Sequence, residues 1–142
     1  MNIKIKRMHD NAKLPNYAHP GDVGLDLYSR ENDCTLQPGD RKVFYVGFAL
    51  EFEEGYVAMV KDRSSLPNHH GLHTMGGVYD AGYRGEYNVQ LVNLGNEAVT
   101  IEKGRKIAQL LIFPIIIANI EEITELSDSA RGNGNFGSTG KF

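Results

Sequence analysis

Tyr87-Asn88-Val89-Gln90-Leu91-Val92-Asn93 is the stretch that decides the fold class. Tyr87, Val89, Leu91 and Asn93 alternate with Asn88, Gln90 and Val92, the period of a strand buried on one face. Working outward, Ile3 and Ile5 alternate with Lys4 and Lys6, and Val99 and Ile101 repeat the pattern. Residues 43–46, 48–52 and 56–60 are short runs of β-branched and aromatic residues. Residues 107–113 and 115–123 read as two buried strands bracketing Pro114. Pro38-Gly39, Glu54-Gly55, Gly76-Gly77, Leu94-Gly95-Asn96 and Lys103-Gly104 supply turns between them. One segment reads as helical. It starts at Ser64-Ser65, runs toward Leu72 and closes at His69-His70-Gly71. Many short strands, frequent turns and one short helix predict an all-β, jelly-roll-like barrel or sandwich.

The chain has 142 residues, enough for one domain with its own core. A net charge of -3 gives no electrostatic case for nucleic-acid binding. A single cysteine, Cys34, excludes an internal disulfide and fits a reducing cytoplasm. The charged, alternating N-terminus has no signal-peptide pattern. The apolar run at 107–120 is broken by Gln109, Pro114 and Asn119 and meets Glu121-Glu122, so it does not read as a membrane span. The character of the chain changes near Ser127. Residues 131–142 hold four glycines, two cations, no acids and, as their apolar residues, two Phe. The expected organisation is a β-barrel domain over 1–126 and a mobile glycine-rich arm over 127–142.

Five stretches carry side chains that suit chemistry. In the tail, glycine N–H groups, Arg131, Ser138, Thr139 and Lys141 are the parts of a phosphate cradle or of a plain flexible terminus. Phe136 among the glycines suits docking on a flat ligand. Residues 77–86 read as a hairpin turn presenting Asp80 and Tyr83, with Asp80 either a general base or the carboxylate of an Asx-turn. Arg63, Ser64 and Ser65 form either an anion site at a helix start or an N-cap with a solvated Arg. Gln109, in an apolar strand, needs either a core hydrogen bond or a ligand. Asp26, flanked by apolar residues on a short strand, needs a partner cation or metal-bound waters.

Together and in order, residues 21–29 (GDVGLDLYS), 62–67 (DRSSLP), 77–93 (GVYDAGYRGEYNVQLVN), 104–112 (GRKIAQLLI) and 131–141 (RGNGNFGSTGK) closely resemble the five motifs of the homotrimeric dUTPase family. The resemblance runs from about Pro20 to Lys141. It implies a threefold trimer with shared active sites that hydrolyses dUTP to dUMP and pyrophosphate, with Mg²⁺ held by the triphosphate. It makes Asp80 the catalytic carboxylate that activates the attacking water. Tyr83 would lie under the deoxyribose, and Gly77 and Val78 would read the uracil edge. Arg63, Ser64, Ser65 and Gln109 would contact phosphates. Asp26 would touch Mg²⁺ through water. Arg131, Gly137, Ser138 and Thr139 of the arm would close on the γ-phosphate end while Phe136 stacks over the base. The sequence departs from the family pattern at Asp62, Pro67, Tyr79, Lys106 and Asn135. A dCTP deaminase of the same fold would need a glutamate on the strand after the third motif, where Asn88, Gln90 and Asn93 stand. A nucleotide-sensing module without turnover would show degraded site residues, and Asp26, Arg63, Asp80, Tyr83, Gln109 and Arg131 are intact.

Overall fold

The computed structural model describes residues 1–133. Its elements in chain order are β1 (Lys4–Arg7), β2 (Leu25–Tyr28), β3 (Cys34–Leu36), β4 (Arg41–Tyr45), β5 (Phe48–Glu51) and β6 (Tyr56–Lys61). These are followed by α1 (Ser65–His70), β7 (Leu72–Met75), β8 (Val78–Asp80), β9 (Asn88–Asn93), β10 (Val99–Ile101) and β11 (Lys106–Pro114). A four-stranded sheet has the order β2-β11-β6-β8, and a three-stranded sheet the order β4-β9-β7. Two ribbons, β1-β5 and β10-β3, complete a jelly-roll-like, all-antiparallel body. The alternation in the sequence sets the inward faces: β9 buries Val89, Leu91 and Asn93 while Gln90 is exposed. Leu27, Phe44, Phe48, Tyr87, Ile107 and Leu110 are fully buried in one cluster. Each such side chain contributes roughly 1.5–3 kcal/mol through burial.

The helix begins where the sequence places it, and left-handed Gly71 (φ 65°) ends it. The chain does not continue helical into Leu72. Residues Leu72–Met75 form β7 instead, with Leu72 and Thr74 buried and His73 and Met75 exposed. That two-residue period, and the three-residue β3, are too short to stand out from local pattern alone.

Two expectations are overturned. Residues 77–86 are not a hairpin, because β8 pairs with β6 whereas β9 pairs with β4 and β7. The intervening turn therefore carries the chain from one sheet to the other. Residues 115–123 are not a buried strand. Ile116 is 96% exposed and Ile120 98%. β11 pairs with β6 until Pro114 meets Tyr56, the first residue of β6. Beyond that point β6 offers no further edge, and one bond from Ile115 N–H to the Gly55 carbonyl (2.8 Å) ends the contact.

Candidate active site

Asp26 lies on β2 directly opposite Gln109 of β11, and Gln109 in turn faces Lys61 of β6. The Asp26 carboxylate is 5% exposed. Its Oδ1 receives Arg63 Nε at 2.9 Å, and its Oδ2 lies 2.5 Å from Lys106 Nζ. Oδ2 lacks a well-directed hydrogen bond, so the Lys106 contact is one of charge. The pairing of β11 with β2 shifts register between Lys106 and Ala108, an irregularity next to the residue that supplies this ammonium. The buried carboxylate thus holds two cations, Arg63 and Lys106, at one place beside the two serines.

Asp26, Arg63, Ser64, Ser65, Lys106 and Gln109 line one open cavity of about 340 Å³, with His19, Asp22 and Gly24 at its wall. Ser64 sits at the helix start, yet its hydroxyl makes no capping bond, so the N-cap reading of that serine does not hold. Arg63 is an ion-pair partner rather than a solvated cation. Gln109 Nε2 donates to the Asp62 carbonyl at 2.7 Å. Its Oε1 lies against Gly24, where an added Cβ would come within 2.2 Å. Two larger clefts, about 490 and 630 Å³, contain none of the motif residues assigned to the site.

Asp62 ties this cavity to β7. Its Oδ1 accepts from Thr74 N–H and its Oδ2 pairs with His73 Nδ1, both at 2.6 Å. Burial pushes the Asp62 carboxyl up, but the bonds from Thr74 and His73 outweigh it and hold the group below the usual carboxylate value.

The other motif residues lie apart from this cavity. Val78 and Asp80 are exposed on β8 while Tyr79 between them is buried. Gly77 precedes them at φ 89°, where a Cβ would also press within 2.9 Å of Val60. Only glycine fits there. Tyr83 is 38% exposed; its N–H donates to the Asp80 carbonyl and its hydroxyl to the Glu86 carbonyl. Arg131 lies near the end of the described chain, and Phe136, Gly137, Ser138 and Thr139 fall outside the described residues. Lys106 and Asp62 are the residues that sequence reasoning missed as site components. Their departures from the family pattern were visible, but their partners were not.

No group of three or more His, Cys, Asp or Glu suited to a metal ion occurs among the described residues.

The strand order and the single short helix define an all-β, jelly-roll-like protein. The family model described as dUTPase matches residues 10–140, and the chain belongs to the dUTPase family. The deoxyuridine 5'-triphosphate nucleotidohydrolase of Clostridium tetani is 45% identical over 98% of this chain and 97% of its own length. That of Nautilia profundicola is 44% identical over 99% of this chain and all of its own. Among solved structures, the dUTPase of Staphylococcus bacteriophage 80alpha with dUPNHPP superposes with a TM-score of 0.90 at 29% identity, covering 98% of both chains.

Proposed function

We propose that this chain is a dUTP diphosphatase, hydrolysing dUTP to dUMP and pyrophosphate. The observation that carries this reading is the cradle in which Arg63 and Lys106 flank Asp26 beside Ser64, Ser65 and Gln109, on a family match spanning the chain. The substrate would be bound as its Mg²⁺ complex, and Asp26 is the residue that would reach the ion through water, the ion supplying charge neutralisation of the phosphates. Arg63, Ser64, Ser65 and Gln109 take phosphate oxygens through charge-assisted bonds. Asp80 accepts a proton from the water that attacks the α-phosphorus. Tyr83 underlies the deoxyribose, and Gly77 and Val78 read the base edge.

The active form is read as a homotrimer. Asp80 and Tyr83 do not line the cradle of their own chain, so a complete site needs both parts brought together. The bare Ile116, Ile117 and Ile120 supply apolar surface for such association. The arm, 127–142, would close over the site, Arg131, Gly137, Ser138 and Thr139 gripping phosphate and Phe136 covering the base, which excludes bulk water. Such an enzyme limits uracil incorporation into DNA and supplies dUMP for thymidylate synthesis. Its place is read as the cytoplasm, which the single cysteine fits.

Pyrophosphate release from dUTP, dTTP, dCTP and UTP, with and without Mg²⁺, tests the reading. Selective, Mg²⁺-dependent turnover of dUTP is expected. Ammonia released from dCTP, or no turnover of dUTP, overturns it.

A further inference from the structure

Tyr79 stands immediately before Asp80, where the family pattern has Ile or Val. β8 is three residues long and forms one edge of its sheet, so a ladder to β6 is its one strand partner. Such a strand is a weak platform for a reacting carboxylate. The buried Tyr79 side chain supplies what the ladder lacks. Its hydroxyl donates to the Asn88 carbonyl at 2.8 Å and accepts from the Asn88 N–H at 3.0 Å. Asn88 is the first residue of β9 in the other sheet, beyond the point where β7 stops at Met75 opposite Gln90. The phenol thus takes both backbone groups that a neighbouring strand would otherwise satisfy.

The ring is fixed as firmly as the hydroxyl. It stacks on fully buried Tyr87 with centroids 4.1 Å apart and planes 19° from parallel. It also meets Tyr83 at 5.4 Å, and Tyr83 meets Tyr87 at 5.8 Å. Burial raises the Tyr79 phenol above its ordinary value, so it remains a neutral donor through physiological pH.

We propose that Tyr79 is a positioning residue for the reaction: its hydroxyl clamps β8 to β9 across the two sheets and fixes where Asp80 and the Tyr83 turn stand. Valine or isoleucine at this place packs but offers no such clamp, so this chain has a device that the common pattern lacks. The inference rests on the proposed role of Asp80.

The test compares Tyr79→Phe, which keeps the ring and removes both hydrogen bonds, with Tyr79→Val. Steady-state kinetics with Mg²⁺-dUTP are read beside amide hydrogen exchange at Asn88 and Tyr83. For Tyr79→Phe, kcat is expected to fall about 10-fold with KM within about 2-fold, since a displaced base slows chemistry more than binding. Exchange at both amides should rise. Tyr79→Val should show the same kcat loss with a lower Tm. A lower Tm with unchanged kcat for folded Tyr79→Phe would mean a merely structural role and overturns the proposal. Absence of dUTP turnover in the wild-type protein overturns the proposed function instead. In that case unchanged exchange at Tyr83 in Tyr79→Phe still rejects the clamp, and raised exchange supports it.

Discussion

The cradle around Asp26 and the turn around Asp80 each present a carboxylate, and they are held by opposite means. Asp26 is buried, and its position is fixed by charge, with Arg63 and Lys106 against its two oxygens. Asp80 is exposed, and its backbone is fixed from beneath by stacked tyrosines and by bonds to main-chain atoms. The first carboxylate is held between two cations. The second is left open to act. The division of labour proposed for the site follows from that contrast.

The sharpest way to break the comparison is Asp80→Asn. Turnover should drop by roughly 10²–10⁴-fold, the range of a lost general base. Nucleotide affinity, measured by titration calorimetry, should change little. Near wild-type pyrophosphate release would remove Asp80 from the mechanism. Asp26→Asn attacks the other side. It frees two cations from their shared partner and should lower kcat/KM by about 100-fold. Urea denaturation should show a stability loss of about 1–3 kcal/mol, because Arg63 and Lys106 are partly exposed and water offsets some of the broken pairing.

Gly24→Ala sharpens the comparison within the cradle. The new methyl would occupy the place of Gln109 Oε1 and push the amide away. KM for dUTP should rise about 10-fold with kcat nearly unchanged, since the turn is untouched. Asp62→Ala should have the smallest effect. The folded Asp62 carboxyl sits below its unfolded value, so its stabilisation is complete above about pH 3.9 and disappears as pH falls through the folded value. Wild type should exceed the variant by under about 1 kcal/mol at pH 7, and thermal melts should show the difference shrinking as pH falls below about 3.9.

How much of this was legible depends on range. Strands β9 and β10 followed from alternation, since burial on one face imposes a period of two. Strands β4, β5, β6 and β11 followed from short β-branched and aromatic runs between turn residues. Strand β1 alternates in sequence although all four of its residues are exposed. The same logic misread residues 115–123, because an apolar run signals burial without saying what provides it. Among the described residues nothing does, and Ile116 and Ile120 stand bare. The cradle shows the same limit at a single residue. Asp26 announced its need for a cation by sitting among apolar neighbours, and Arg63 was marked by its motif. Lys106 was seen as a departure from a pattern, not as the second cation.

The sequence by itself therefore determined the all-β class, the helix start, the glycine-ended helix and the order of the chemistry-bearing motifs. These depend on the alternation and φ preference of residues near one another in the chain. The tertiary structure alone decided that β8 and β9 belong to different sheets, that Lys106 meets Asp26, and that Tyr79 clasps Asn88 between them. Those contacts depend on strand register and sheet order, which are settled by packing the whole barrel and leave no periodic trace in any one segment.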